Sequence, residues 1–487
     1  MKKEKDFFQI TEEIASKYQV ELDDICRILS IEFKIPADVF LDGIKRGLSE
    51  KHRAGIKRQL SEENGCSKNF IFYLCAVFYF GFFTIFGSRP KGIKLKRKFI
   101  FDIWHPQSKS QFYNALIEKI EPAETGFMVN TRTKQSRSSG NLTNSIITAN
   151  FLPNAKVCGT IVGSMVRNAR IFFLIARKLP NSFLLIIVTI FKRISLFQNH
   201  AQMLACDFYI SAGDNYFDAI RHFVYKSGGI KNIVILQNGF RSGRWSDESV
   251  DLYTHCDFYF GFGTKQIEVQ KGMNAKHKHA IGSIKLHQLK LSRRFIEGPK
   301  LYDIVFLGGG SQFESLYFRP KTYLEILDNL IKLKARHPQL RIFYSDKKLR
   351  EQNEFQSVVN SLLKTSQITT TDENISDSYD AVNSAAITLF YRTSMGFEAL
   401  CFDTTVLNIN YDKDSFPFSP SDNELILTDR SYIAFEERIL RSLSQDRRAF
   451  ESKRRLYCKK YMNNINVLCL PDYILQKIQQ PQLKNGI

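Results

Sequence analysis

With 487 residues, 44% of them hydrophobic and 13% aromatic, the chain has too much apolar surface for a disordered polymer and too much length for a single core. Lys and Arg exceed Asp and Glu by 69 to 49, a net charge of +20, which points to an anionic partner such as nucleic acid, an acidic membrane leaflet or a phosphorylated substrate. The nine cysteines are scattered and form no CxxC pair, so neither a disulfide framework nor a zinc site is legible, and a reducing cytosol suits them.

Residues 1–68 show helical periodicity with many charges and no motif, and read as an accessory helical extension. Their start, MKKEKDFFQITEEIASK, is interrupted by Glu12 and Glu13 before any apolar run, unlike a secretory signal. Residues 69–98 form the next unit. Within it, FIFYLCAVFYFGFFTIFG (Phe70 to Gly87) runs 18 residues without a charge, the length at which a membrane helix becomes a candidate. Arg89, Lys91, Lys94, Lys96, Arg97 and Lys98 follow it, a cluster suited to the anionic cytoplasmic leaflet. The upstream flank is basic too, at Lys51, Arg53, Lys57, Arg58 and Lys68, and a single span does not place both flanks on one side. A span, an in-plane or re-entrant segment, and a buried core helix all remain open. The shorter run Phe183 to Phe191 reads as a core helix.

From Lys98 the pattern becomes short β-rich runs alternating with amphipathic helices, the mark of parallel sheets built from βαβ units. Residues 98–103 (KFIFDI) read as a strand and 111–120 as its helix. Strands follow at 207–211, 233–236, 257–261 and 279–283, with helices over 218–226 and from Thr264. These form a first α/β domain at 99–290, with the polar stretch 285–300 as linker. A second series, 291–487, opens with DIVFLGGGS (303–311), a strand entering a glycine loop. A helix at 322–334 carries Tyr323, Ile326, Leu327, Leu330 and Ile331 on one face. Strands are expected at 341–345, 366–370, 386–391 and 404–409, with helices over DSYDAVNS and SMGFEALC and further helices at the end. The fold expected is α/β, two tandem Rossmann-like doubly wound domains behind a helical extension and a hydrophobic membrane-associating segment.

In open parallel sheets, ligands collect beyond the carboxyl ends of the strands, which makes those ends the candidate sites. The strand NIVIL runs directly into Gln237, Asn238, Gly239 and Arg241, where a glycine allows close backbone approach and the amides and guanidinium meet oxygen or phosphate. A polar Asn-Gly turn is the alternative. After DFYIS comes AGDNYFD, where Asp214 serves as an N-cap or a general base and Asn215 lies beside it. After FIFDI come Trp104 and His105, a residue able to accept a proton. In the second half Gly308, Gly309, Gly310 and Ser311 offer backbone to phosphate, in a spacing that is neither GxGxxG nor a Walker loop, which disfavours a dinucleotide oxidoreductase or a P-loop ATPase. Arg392, Thr393 and Ser394 lead from a strand into a helix, with Gly396 and Glu398 a turn later. Hydroxyls and a guanidinium there suit a diphosphate, and Glu398 suits ribose hydroxyls; a simple capping motif is the alternative.

At ILQNG, GSIK (282–285) and RTSMGFEALCFDTTVLNIN (392–410) the chain resembles bacterial GT-B glycosyltransferases of surface polysaccharide (O-antigen or capsule) biosynthesis. It resembles Kdo transferases, sialyltransferases and CDP-glycerol glycerophosphotransferases more distantly. The likeness covers about 99–450. It implies two Rossmann-like lobes, an amino-terminal acceptor domain and a donor domain whose nucleotide-sugar site maps to Thr393, Ser394, Gly396 and Glu398, with Gln237, Asn238 and Gly239 facing the cleft. Related CMP-sugar enzymes carry a His-Pro pair at the end of the second donor-domain strand; here Ser345-Asp346-Lys347 stand there, and His337-Pro338 precede the strand, which leaves the nucleotide base open.

The expectation is a metal-independent glycosyltransferase without cofactor, moving a sugar from a nucleotide-sugar donor to a lipid-linked surface polysaccharide or lipopolysaccharide acceptor, with Asp214 or His105 as catalytic base. The expected location is the cytoplasmic face of the inner membrane, peripheral or anchored through residues 70–87 on an anionic membrane surface. A CDP-glycerol-type polyol-phosphate transferase, a sugar-nucleotide epimerase and a non-catalytic membrane-associated nucleotide- or glycan-binding protein are the rivals. No nucleic-acid motif accompanies the charge, so no nucleic-acid partner is expected.

Overall fold

The computed structural model describes residues 7–53, 66–87, 94–103, 113–129, 146–148, 153–169, 179, 181–213, 217–239, 253–269, 273–291, 300–308, 319–345, 354–412, 418, 420–445, 447–463 and 470–480. Three helices open the chain, α1 (Phe7–Lys17), α2 (Gln19–Phe33) and α3 (Ala37–Arg53), followed by α4 (Cys66–Phe86). The first lobe then runs β1 (Leu95–Ile103), β2 (Thr125–Val129), β3 (Ile146–Thr148), α5 (Ala155–Arg167), α6 (Asn181–Met203), β4 (Leu204–Ser211), α7 (Ala219–Ser227), β5 (Ile230–Leu236), β6 (His255–Gly261), α8 (Thr264–Val269), β7 (Asn274–Ala280) and α9 (Ile284–Leu291). Its strands pair in parallel in the order β3-β2-β1-β4-β5-β6-β7. Both faces are apolar because alternate residues point opposite ways. Phe99, Phe101, Val234 and Leu236 join one core, while Ile100, Ile233 and Ile235 join the other.

The extension is built into this lobe. Ile25, Leu29, Phe40 and Ile44 share a core with Ile186, Ile190 and Phe191 of α6, the run read as a core helix from sequence. Asp218 caps α7 by accepting from the Arg221 amide at 2.8 Å, and Arg193 of α6 and Arg46 of α3 close on its other oxygen. Burial pushes the Asp218 carboxyl up, but the two guanidiniums and the amide outweigh it and hold it below its ordinary value. The segment expected at 70–87 is α4. It packs one face, including Ala76 and Phe80, into the same core, and its Tyr73 hydroxyl donates to the Met165 carbonyl of α5 at 2.6 Å. Among the described residues no helix is long and apolar enough to cross a membrane.

The second lobe contains β8 (Tyr302–Leu307), α10 (Pro320–Arg336), β9 (Ile342–Ser345), α11 (Glu354–Lys364), α12 (Ser378–Asn383), β10 (Ala385–Phe390), α13 (Met395–Glu398), a 3₁₀ turn (Ala399–Cys401), β11 (Thr405–Ile409), β12 (Ile426–Leu427), α14 (Tyr432–Ser444), α15 (Arg447–Met462) and α16 (Leu470–Gln479). Its parallel order is β12-β11-β10-β8-β9. Two doubly wound parallel sheets in tandem are therefore present.

Local expectations shift in four places. The strand expected at 279–283 is β7 at 274–280, an edge strand whose sequence NAKHKHA alternates partly shielded and exposed positions instead of forming an apolar run. The proposed linker 285–300 begins as α9, capped by Ser283 accepting from the Leu286 amide at 3.2 Å. At 366–370 only Thr369 bridges, to Phe343, because this polar stretch offers little to bury on a sheet edge. The last helix, placed from sequence with the second lobe, returns to the first: Leu470, Ile474 and Ile478 of α16 pack with Phe99, Phe258 and Phe260.

Helix α15 carries the chain back. Gly263, after β6, lies so close to Tyr461 and Lys460 that an added Cβ would fall under 3.0 Å from their backbone. Thr264 donates to the Lys460 carbonyl at 3.5 Å, and Asn463 donates to that of Ala280. On the other side Arg454 donates to the Phe402 carbonyl at 2.6 Å, and the sulfurs of Cys401 and Cys458 touch at 3.0 Å.

The α16 contact gives the fold a titrating joint. His279 of β7 stacks on Phe260, with ring centroids 5.3 Å apart, and meets the Tyr473 ring edge-on at 6.2 Å. Burial, helped by Lys477 and His277, lowers its pKa from 6.5 to about 4. The unfolded chain thus takes the proton first, so stability is complete above pH 6.5 and is lost as pH falls from 6.5 to about 4. The shift corresponds to about 3 kcal/mol, which solvent screening of this half-buried ring reduces to about 2 kcal/mol. His279→Phe, which keeps the stack and removes the proton, should flatten this part of the profile in urea melts taken across that range.

Candidate functional site

A doubly wound sheet leaves a crevice where the strand order reverses, outside the carboxyl ends. In the first lobe that point lies between β1 and β4, and in the second between β8 and β10. At the first, Asp102 pairs in register with Ser211. The Ser211 hydroxyl donates to Asp102 at 3.0 Å, and Arg221 of α7 donates to the same oxygen at 3.1 Å. The Arg221 guanidinium lies 3.9 Å from the centre of the Phe217 ring and also donates to the Tyr209 and Tyr225 hydroxyls at 3.3 and 3.2 Å. Tyr113 donates to the Asp102 carbonyl at 3.1 Å and accepts from the Ala212 amide at 2.6 Å. The two strand ends are therefore tied together immediately before the chain leaves toward His105 and Asp214. Those two candidates, with Asn215 and Arg241, lie outside the described residues.

The QNG end of β5 divides into two roles. Gln237 is buried, and its side-chain oxygen accepts from the Phe262 amide at 2.7 Å while its nitrogen donates to the Gly239 carbonyl at 2.8 Å. Its amide thus joins the ends of β5 and β6. Asn238 is exposed and Gly239 is half-buried, so these two keep access to solvent. Phe262, held by Gln237, packs in the same apolar cluster as Phe390 and Phe397 of the second lobe. Residues just past the carboxyl end of β6 and at that of β10 thus share one apolar cluster.

At the second reversal point Gly308 closes β8, its amide donating to the Ser345 carbonyl at 2.8 Å, and the Tyr391 amide donates to the Leu307 carbonyl at 3.3 Å. Gly309, Gly310 and Ser311 lie outside the described residues. Arg392 takes a left-handed backbone conformation, φ 51°, a strained choice for a non-glycine residue that is typical of functional turns. Its guanidinium donates to Asp412 at 3.0 Å. Asp412, buried just past β11, also accepts from Tyr391 at 2.9 Å and Thr322 at 2.8 Å, with Arg430 at 3.4 Å and Arg319 at 3.5 Å. One carboxylate thus gathers three guanidiniums, and Arg430 also reaches Glu325 at 2.6 Å, leaving the group net positive. Thr393 accepts from the Met395 amide at 3.4 Å, and Ser394 is exposed.

Glu398 links the two lobes. It is buried, with one oxygen accepting from Ser283 of the first lobe and the other from Tyr379 at 2.7 Å. Burial, then the neighbouring Glu398 charge, pushes the Tyr379 hydroxyl well up, so it remains a donor. Both oxygens accept from the protein, so Glu398 ties Ser283 of the first lobe to Tyr379 of the second. Gly396 is required by proximity, since a Cβ there would fall under 3.0 Å from the Phe390 ring. His337 ends α10 and bonds Glu436 at 2.7 Å, away from these strand ends.

Asp102, Arg221, Asp412, Arg319, Arg430, Tyr379 and Ser283 were not singled out from sequence. A charge inside the apolar strand KFIFDI was the signal for Asp102, and Ser283 sits within the GSIK motif. Nothing local marks Asp412, whose partners come from three separate segments, around 319–322, 391–392 and 430. Among the described residues no group of three or more His, Cys, Asp or Glu side chains is arranged to hold a metal ion.

No family model matches the chain, and no curated protein sequence matches it. Among solved structures it is similar to the S. aureus MnaA–UDP co-structure, with 11% identity over 78% of this chain and 96% of that one and a TM-score of 0.45. It is also similar to the wall teichoic acid polymerase TagF, with 12% identity over 86% of this chain and 99% of that one and a TM-score of 0.45. A third likeness is to UDP-GlcNAc 2-epimerase from Neisseria meningitidis bound to UDP-GlcNAc, with 9% identity over 79% of this chain and 100% of that one and a TM-score of 0.45. At these identities none of them assigns an activity to this chain.

Proposed function

We propose that the chain is a glycosyltransferase that moves a sugar from a nucleotide-sugar donor to a lipid-linked surface glycan. What carries the reading is the second-lobe reversal point. There Gly308 and the strained Arg392-Thr393-Ser394 turn lie side by side at the ends of paired strands, within a net-positive group, and the adjoining Phe390 and Phe397 share an apolar cluster with Phe262 of the first lobe. A diphosphate leaving group needs cationic and hydroxyl donors placed in advance, and this turn supplies both. Asp214 or His105, which follow the tied ends of β4 and β1, would take the proton from the acceptor hydroxyl as the glycosidic bond forms and the nucleotide departs. Closure of the lobes would keep water from the donor.

The test is calorimetry with UDP-, GDP-, CMP- and CDP-linked donors on the wild type and on Arg392→Gln and Thr393→Val. At least one donor class should bind, and each substitution should weaken it about tenfold or more, the worth of a lost charge-assisted hydrogen bond. Binding that neither variant weakens, or no binding of any donor, overturns the reading.

A further inference from the structure

The geometry points to an in-plane membrane-docking face on α4, fitted to an anionic phospholipid surface. This goes beyond the transfer reading and does not depend on it. From Phe70 to Gly87 the chain has no charge, a composition that belongs to a helix covered on all sides. Among the described residues the fold covers only one face. Ala76 and Phe80 are buried in the first-lobe core, whereas Phe78 is 75% exposed and Ile85 67%, with Leu74, Phe82 and Phe86 exposed beside them. Positions 74, 78, 82, 85 and 86 recur at helical spacing and form one outward stripe, with Phe82 and Phe86 rings 4.6 Å apart.

Helix α5 runs antiparallel along α4: Tyr73 bonds Met165, Thr84 lies next to Gly159, and Gly87 abuts Ala155. It adds the exposed Val166 to the apolar face and contains no acidic residue. Exposed Lys156 stands at one end of the stripe and Arg167 at the other, the latter also meeting Glu32. An apolar aromatic strip with cations at both ends matches the interface of an anionic bilayer, in which rings enter the headgroup boundary and the cations meet phosphates. Because the opposite face of α4 is buried in the lobe, the helix lies along the surface.

The test is co-sedimentation of the full chain with phosphatidylcholine vesicles with and without phosphatidylglycerol. The wild type should bind the phosphatidylglycerol vesicles. Phe78→Ser with Phe82→Ser should cut partitioning about 100-fold, roughly tenfold for each exposed ring, and Lys156→Glu should weaken it by a smaller factor. Ile433→Ser, an exposed apolar residue of α14 in the second lobe, should change nothing. All are surface replacements, so melting temperatures should match the wild type. Failure of the wild type to bind, or binding that the Phe pair leaves intact, overturns the proposal. So does a wild-type dimer in sedimentation velocity that the Phe pair converts to monomer, because the face then belongs to a second copy.

Discussion

Asp102→Ala should lower the stability of the first lobe by about 3–5 kcal/mol, the cost of leaving a buried charge without its counter-charge. Asp102 is wholly buried, and its carboxylate accepts from the Arg221 guanidinium at 3.1 Å. Removing it leaves a guanidinium enclosed by Phe217, Tyr209 and Tyr225, whose rings and hydroxyls do not neutralise it. Asp102→Asn keeps an acceptor of the same shape for Ser211 and should lose about 2 kcal/mol. The decisive comparison is Asp102→Leu with Arg221→Met. Replacing both charges removes the desolvation penalty, so the double variant should be more stable than Asp102→Ala although it carries more changes. Urea denaturation followed by circular dichroism reads all three. A double variant no better than the single one would mean that Asp102 acts through its hydrogen bond to Ser211 and not through charge.

The layered plan was legible because it rests on local patterning. Uninterrupted apolar runs such as Ile233 to Leu236 are buried on both faces, and the face of α10 set by Tyr323, Ile326, Leu327 and Leu330 is the buried one. The chain order of strand ends was enough to bring Gly308 and Arg392 to one reversal point. What escaped was whatever depends on long-range pairing. The polar edge strand β7 owes its existence to its neighbour β6, with which it pairs over His255 to Gly261, and little in its own composition announces it. The internal partners of Gln237 and Glu398 escaped for the same reason. Each has the chemistry of a ligand contact, and each also bonds a partner, Phe262 or Ser283, that lies 25 or 115 residues away. A sequence motif gives the type of side chain at a strand end but not which neighbour takes its hydrogen bonds.

The Ser283–Glu398 bond sharpens the meaning of Gly396 and gives the second large expected effect. Gly396→Ala should destabilise the second lobe by about 3 kcal/mol, at the upper end for overpacking, because the added methyl meets a ring with no room to retreat. Phe390 is fully buried at the last position of β10, edge-on to Phe397 at 5.4 Å and to Phe418 at 6.1 Å. The conflict is resolved only if α13 lifts away from the strand end. That motion would carry Ser394 at its start and Glu398 at its end, drawing the carboxylate off Ser283 and loosening the lobes. Ser283→Ala separates the two consequences. It removes the strut without touching the strand end, so it should weaken lobe closure while sparing most of the second-lobe stability. Phe390→Leu in the Gly396→Ala background makes room for the methyl and should recover stability relative to Gly396→Ala alone. If Gly396→Ala melts like the wild type, the ring yields, and the glycine is there for some reason other than the close approach of α13 to β10.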